Sequence, residues 1–434
     1  MDYRPFREHK VSLLGLGCMR LPKRRHDAED IDVAKAQSIV DRAIDAGVNY
    51  FDTAWMYHGG ESESFTGEAL RRYPRERYFI ADKMPIWEAR SEGDLERIFN
   101  EQLRRCGIEY FDFYLVHSLN QENYQRMVSL EARAFLEQKR QAGQIRYIGF
   151  SYHDSPMLLQ TICEQDAWDF AQIQLNYLDW VDQDAKRQYE LLERYGIPTI
   201  IMEPVRGGAL ADLGDAANAL LRAANPEGSI ASWAMRYAAS LPNVMTVLSG
   251  MSTLEQLEDN LRTLSPLIPL TRDEEAALQA AVTQYRKRDQ LPCTGCRYCI
   301  DCPSALDIPG IFAIYNTYLL ENHPAAFRER LEELLKESAA PGDCIECGAC
   351  VAHCPGNCDS GRSQKDPRTI VRGLPERGKP DGGSSYRIYR LDTGRLLDKP
   401  CVFWYNERRV RIWSRPGAPQ HSSRKGEMTV VTIY

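Results

Sequence analysis

A chain of 434 residues has room for one large domain and a smaller companion, and its 43% hydrophobic, 26% charged make-up is that of an ordinary globular protein. No apolar run reaches the roughly 18 residues of a membrane-spanning helix, and the N-terminal MDYRPFREHKVSLLGLGC lacks the apolar core of a signal peptide, so no membrane association and a cytoplasmic location are expected. The formal charge of −7 is unevenly placed: residues 361–434 hold 16 Lys+Arg against 7 Asp+Glu, which leaves an acidic body and argues against a nucleic-acid partner.

Val11–Gly17 reads as a short buried strand. From Val33 to Ala46 apolar residues recur at 33, 36, 39, 40, 43 and 44, a helical spacing stopped by Gly47. Val48–Asp52 is the next strand. It leads into a turn holding Tyr57, a break at Gly59-Gly60 and a helix start near Glu61. Further strands are expected at Tyr78–Lys83, Phe111–His117, Arg146–Ser151, Phe170–Leu175, Pro198–Met202 and Val244–Ser249. Amphipathic helices lie between them, among others Asp94–Cys106, Glu122–Ala142, Gln183–Tyr195 and Gly228–Ala239, with a last one at Arg272–Lys287.

This makes eight strand–helix units over about 250 residues, with strands that are near-continuous apolar runs, as in a parallel sheet covered on both faces. A (β/α)8 TIM barrel is the expected α/β fold. An open doubly wound sheet is the lesser alternative, because Gly15-Leu16-Gly17 is followed by no third glycine at the dinucleotide-binding spacing.

In a barrel the chemistry sits at the C-terminal strand ends. These ends carry Asp52, Lys83, His117, Ser151, Gln174 with Asn176, Glu203 and Ser249, and Tyr57 follows in the loop after the second strand. A phenol titrates at about 10. A neighbouring ammonium should lower that value, with an aspartate holding the ammonium in place. Tyr57 could then act as general acid to an alkoxide forming from a carbonyl, while His117 orients the oxygen. Each residue alone has a plainer reading, as a cap, a solvated charge or a packed ring. Their coincidence at neighbouring strand ends favours the catalytic one.

The motifs GLGCMRLP, AGVNYFDTAWMYHGGESE, IADKMP, DFYLVHS, IRYIGFS, AQIQLNY and SGMSTLEQLEDN follow one another in residues 1–285. This region resembles the aldo/keto reductase superfamily. The resemblance implies a barrel that binds NAD(P)H and moves hydride to or from a small carbonyl or alcohol substrate, with Asp52, Tyr57, Lys83 and His117 as catalytic tetrad. It also implies cofactor contacts at Ser151 and Gln174 around the nicotinamide, and at Ser249, Gly250, Ser252, Gln256 and Asn260 around the adenosine phosphate. Family members that grip a 2′-phosphate often carry Lys or Arg where this chain has Gly250 and Gln256, which leaves NADP or NAD preference open. Arg206-Gly207-Gly208 could cradle the pyrophosphate or be no more than a flexible loop.

Thirteen cysteines are present, nine of them between Cys293 and Cys358. Without an export signal such a cluster points to metal ligation, not disulfides. The run Cys293-x2-Cys296-x2-Cys299-x2-Cys302-Pro303 precedes Cys344-x2-Cys347-x2-Cys350-x3-Cys354-Pro355. The second is the bacterial ferredoxin pattern, in which the fourth cysteine of each run serves the other cluster. On that template Cys293, Cys296, Cys299 and Cys354 hold one [4Fe–4S] cluster and Cys344, Cys347, Cys350 and Cys302 a second. Zinc is the rival ligand. The first run has x2 before its Cys-Pro, and after Cys354-Pro355 the usual apolar cover is replaced by a segment holding Cys358, an extra candidate ligand.

The combination resembles the branch of aldo/keto reductases with a C-terminal ferredoxin-type domain. The expected division is a barrel at 1–287, a small α-helical ferredoxin-like iron–sulfur domain at 288–360 and an irregular, poorly ordered basic tail at 361–434. The expected function is an oxidoreductase whose clusters serve electron transfer, with an electron-transfer protein as partner, or redox sensing. A regulatory protein using the barrel as a nucleotide-binding module, and a zinc-stabilised reductase, are the alternatives.

Overall fold

The computed structural model describes residues 1–24, 30–287, 291, 293–299, 301–321, 324–345, 347–352 and 354, with two short strands at Trp404–Asn406 and Arg409–Arg411. Those two pair antiparallel. The rest of the tail expected after residue 360 lies outside the described residues, as does Cys358.

Two strands, β1 (Tyr3–Phe6) and β2 (His9–Ser12), form an antiparallel hairpin ahead of the barrel. Eight parallel strands then close into a barrel: β3 (Leu14–Gly17), β4 (Tyr50–Asp52), β5 (Phe79–Met84), β6 (Phe111–Leu119), β7 (Ile145–Tyr152), β8 (Phe170–Gln174), β9 (Thr199–Met202) and β10 (Val244–Ser249). β10 returns to pair with β3, so the barrel itself leaves no strand edge open. The expected first strand is divided. Val11 and Ser12 belong to the hairpin, and the barrel strand begins at Leu14.

The hairpin closes the N-terminal mouth. Phe6 lies 5.3 Å from the ring of Phe113 and 4.8 Å from that of Tyr147, within an apolar group that includes Tyr50 and Phe170 near the strand starts. Full burial of one such ring contributes about 2–3 kcal/mol. With this end sealed, access is left to the C-terminal mouth, where the polar strand ends lie.

The outer helices follow from their caps. Ser91 and Asp94 form a reciprocal capping box that starts Glu92–Cys106, and Thr271 with Glu274 starts Arg272–Arg286 in the same way. Glu274 also takes both guanidinium nitrogens of Arg236, at 2.6 and 2.9 Å, tying the last helix of the barrel to Ile230–Ala239. The expected helix Glu122–Ala142 is two helices, Gln121–Ser129 and Ala132–Gln141, interrupted where Glu131 adopts a left-handed backbone, φ 50°. The expected helix Gln183–Tyr195 is found as Ala185–Arg194, preceded by a separate short helix at Asp179–Asp182.

Beyond the barrel, Leu306, Ile308, Ile311, Phe312, Tyr315, Leu331 and Leu335 form a separate small core. Helices Ile308–Glu321 and Pro324–Leu334 supply most of it. Cys293, Cys299, Cys302, Cys344 and Cys350 pack against this core.

Candidate active site

The C-terminal mouth brings Asp52, Tyr57, Lys83 and His117 together. Asp52 ends β4, Lys83 lies one residue before the end of β5, and His117 lies near the end of β6. Lys83 Nζ donates to Asp52 Oδ1 at 2.6 Å and to the Thr53 carbonyl at 2.7 Å, and reaches the Tyr57 hydroxyl at 3.5 Å. The same ammonium lies 5.0 Å from the centre of the Tyr57 ring. Tyr57 meets His117 edge-on at 6.3 Å, and Trp87 flanks His117 at 5.0 Å.

Burial sets the protonation states. It holds the His117 imidazole well below its ordinary value, with the Lys83 charge acting in the same direction, so His117 is neutral. Burial raises the Asp52 carboxyl and Lys83 opposes it. Tyr57 departs from the expected direction. Burial, followed by the charges of Asp52 and Glu203, pushes its phenol well above the usual value. The reason is geometric: the ammonium is shared first with Asp52 and Thr53, and only its longest contact goes to the phenol. A phenol in this position holds its proton.

Beneath the four residues lies a polar layer that motif reading left as an ordinary helix start. Gln102 Nε2 donates to Glu63 Oε1 at 2.8 Å and to the Lys83 carbonyl at 3.0 Å. Arg105 neutralises Glu63 at 2.8 Å and stacks over Trp55 at 3.8 Å. Tyr114 donates to Gln102. Asp82, buried beside Glu63, has its carboxyl raised well above the carboxylate range, mainly by burial and then by Glu63. The backbone of Lys83 is thereby held from behind while its side chain crosses to Asp52.

Of the residues expected around the cofactor, Ser151, Gln174 and Ser249 lie at the C-terminal ends of β7, β8 and β10, and the others in the loops and the helix that follow. Ser151 Oγ accepts from the Ser118 amide at 2.7 Å. Gln174 donates to Asp179 Oδ2 at 2.8 Å. Asp179 also receives Asn176 at 2.6 Å and pairs with Arg206 at 3.1 Å. The Arg206 charge is thus engaged inside the fold. The loop continues through Gly207 and Gly208, both with a left-handed backbone at φ 66° and 100°, and of the two only Gly208 is exposed. Asn260 donates to Ser249 Oγ at 2.9 Å, and Gln256 Oε1 accepts from the Ser252 amide at 2.7 Å. These two contacts brace the turn that leads into the helix Leu254–Leu264, whose N-cap is Thr253. A turn at a helix N-terminus favours an anionic group.

Arg20 is a residue the motifs did not single out, although it lies in the GLGCMRLP segment. Its stem packs on Gly250, where an added Cβ would come within 2.8 Å. Its guanidinium donates to the Thr294 carbonyl at 2.8 Å and meets Glu203 at 3.3 Å. Thr294 in turn presses on Gly207 so closely that a Cβ there would lie 1.9 Å from the Thr294 carbonyl oxygen. The loop of the first cysteine run therefore lies across the barrel mouth. Four residues further on, the Tyr298 hydroxyl hydrogen-bonds His117 Nε2 at 3.0 Å.

The thiols fall into two electrostatic neighbourhoods. Cys354 acts on Cys293, Cys296 and Cys299, while Cys344, Cys347 and Cys302 act on Cys350, and the two groups adjoin where Cys350 also acts on Cys299. Burial pushes Cys293 up to about 11 and Cys296 up to about 12. Thiolates so buried need a cation beside them, and the iron of a cluster meets that need. Among the described residues no three His, Cys, Asp or Glu side chains converge as ligands of a single ion. The thiolates of a cubane each bind a different iron and need no single point of convergence.

With this geometry in view, comparison with known proteins gives a consistent result. The aldo/keto reductase family profile matches residues 13–283. The chain belongs to the aldo/keto reductase family. A 4Fe-4S dicluster domain profile matches residues 286–355, which favours iron–sulfur ligation over the zinc alternative. This is an oxidoreductase with an appended ferredoxin-type domain. Among its relatives is an uncharacterized oxidoreductase, YqkF, of Bacillus subtilis, 26% identical over 304 residues that span 63% of this chain and 94% of that protein. The L-galactose dehydrogenase of Arabidopsis thaliana is 26% identical over 287 residues, 61% of this chain and 88% of the plant enzyme. A solved aldo-keto reductase from Bacillus halodurans superposes with a TM-score of 0.54 at 25% identity, covering 65% of this chain and 96% of that one. Both curated relatives and the solved structure align with little more than the barrel. Among the described residues no helix is long and apolar enough to cross a membrane.

Proposed function

We propose that this aldo/keto reductase uses NAD(P)H to reduce a small aldehyde or ketone, or runs the reverse oxidation, with Tyr57 as the general acid or base. The observation that carries this reading is the convergence of Asp52, Lys83, Tyr57 and His117 at one mouth of the barrel. A bound nicotinamide would supply the hydride. Tyr57, kept protonated by burial, gives its proton to the oxygen as negative charge develops there. Neutral His117 orients that oxygen through Nε2, and Asp52 keeps the Lys83 ammonium beside the phenol. Lys83 then stabilises the phenolate left after transfer.

The residues suited to the nucleotide are Ser151 and Gln174 at the nicotinamide end, and Ser249, Gly250, Ser252, Gln256 and Asn260 at the adenosine phosphate. Gly207 and Gly208 would meet the pyrophosphate through their backbone, with Arg206 holding the loop by its pair with Asp179. Gly250 and Gln256 carry no charge of their own for a 2′-phosphate, but the Arg20 stem packs on Gly250. In the second unit, taken as 288–360 after a barrel of 1–287, the two thiol neighbourhoods support two [4Fe–4S] clusters. Cys293, Cys296, Cys299 and Cys354 hold one, and Cys302, Cys344, Cys347 and Cys350 the other. The clusters would pass single electrons to or from a protein partner or report redox state.

Replacing Tyr57 by Phe tests the assignment. The expected result is loss of carbonyl reduction with nucleotide binding retained, and surviving turnover would overturn it. Iron and sulfide analysis of anaerobically purified protein should give about eight of each per chain for two cubanes. About four of each would reduce the proposal to one cluster.

A further inference from the structure

The loop that holds the first cysteines also enters the carbonyl site. Tyr298 lies between Cys296 and Cys299, and its hydroxyl is 3.0 Å from His117 Nε2, with the two rings edge-on at 6.3 Å. Two features aim it there. Arg297, just before it, has a left-handed backbone at φ 64°, which turns the following side chain toward the barrel. Upstream, Arg20 grips the Thr294 carbonyl at 2.8 Å, while Thr294 closes on Gly207.

His117 has one ring nitrogen to offer. Among the described residues Nδ1 is buried without a hydrogen-bond partner, and Trp87 covers the ring at 5.0 Å. Nε2 is the atom that would orient a substrate oxygen, and the Tyr298 oxygen already stands at hydrogen-bond distance from it. Two oxygens cannot share that single position.

We propose that Tyr298 is a displaceable internal occupant of the carbonyl site, so that a substrate must expel it, together with the loop between Cys296 and Cys299, before it can bind. This rests on the reading of His117 and Tyr57 as the carbonyl-binding pair. The contact raises the apparent KM in inverse proportion to the fraction of molecules with Tyr298 undocked. One neutral hydrogen bond accounts for a factor of about two to ten. Because withdrawal of the loop shifts two thiols of the first set, carbonyl binding and the environment of those thiols are linked, and the linkage is reciprocal.

The test uses the full chain, purified anaerobically, with benzaldehyde as the carbonyl probe. In Tyr298→Phe, which keeps the ring and loses the hydroxyl, KM for benzaldehyde should fall about twofold to tenfold with kcat nearly unchanged. Tyr298→Ala should lower KM at least as far, and free phenol should then compete with benzaldehyde far more strongly than in the unaltered protein. Separately, saturating benzaldehyde should move the electron paramagnetic resonance signal of the reduced unaltered protein toward that of Tyr298→Ala. A fall in kcat for Tyr298→Phe, restored by phenol in Tyr298→Ala, would overturn the proposal by making Tyr298 a proton donor. A raised KM, or no change in either variant, would overturn it as well. Tyr57→Phe separates the two readings. If that variant still turns over, the carbonyl site itself is misassigned; if it is inactive while both Tyr298 variants match the unaltered protein, only the internal occupant fails.

Discussion

The Lys83 ammonium lies 2.6 Å from the Asp52 carboxylate, and both side chains are almost wholly buried. Neither charge is tolerable there without the other. Asp52→Asn should therefore destabilise the barrel by about 3–5 kcal/mol, read by urea unfolding, because it leaves a buried cation unpaired. The double variant Asp52→Leu with Lys83→Met should recover much of that loss and yet show no turnover. A single Asp52→Asn change without measurable loss would mean that Thr53 and the Tyr57 hydroxyl suffice to hold the ammonium.

Two histidines make stability depend on pH. Burial holds His117 well below its ordinary value and lowers His153 to about 4. Unfolding returns both to about 6.5, so below that pH the unfolded chain binds more protons than the folded one. Their contribution is complete above about pH 6.5 and is lost as the pH falls through that value toward 4. Each histidine adds a slope of at most about 1.4 kcal/mol per pH unit. Chemical denaturation between pH 7 and 5 should show the decline, and His153→Gln should reduce its slope. A flat profile would contradict the lowered titration of both rings.

Gly207 and Gly208 share a left-handed backbone and differ in what surrounds them. A Cβ on Gly207 would lie 1.9 Å from the Thr294 carbonyl oxygen, whereas Gly208 has nothing within 4 Å. Gly208→Ala should cost about 1–2 kcal/mol from backbone strain alone. Gly207→Ala should do more and should lift the cysteine loop from the barrel, seen as faster protease cleavage near residues 291–299. Equal behaviour of the two variants would argue against close seating of that loop.

Cys354 belongs to the second run by sequence and to the first thiol neighbourhood by position. Cys354→Ser should therefore remove the same iron–sulfur signal as Cys296→Ser, and Cys302→Ser the same signal as Cys347→Ser. Iron content and electron paramagnetic resonance of the four variants check the pairing. Losses that sort by run, not across runs, would reject it.

Much of the barrel could be read along the chain, because near-continuous apolar runs such as Phe111–Val116 and Val244–Leu248 alternate with helices of 3.6-residue period. The divided helix at Glu131 could not, since no glycine or proline marks the break. The helix Ile308–Glu321 carries apolar residues on most sides and gives no amphipathic signal, so periodicity did not mark it.

The sequence by itself determined the barrel, the polar strand ends and the ferredoxin spacing of the cysteines, because each depends on local periodicity or on short fixed intervals. The tertiary structure decided three matters that have no local signature. Burial reversed the expected direction for Tyr57, since desolvation depends on neighbours from many strands. Arg206 was turned inward by Asp179, 27 residues earlier. Tyr298 reached His117 across 181 residues of chain. That contact arises because the cysteine loop is seated on the barrel mouth by Arg20 and Gly207, a packing relation between two units that neither unit's sequence pattern contains.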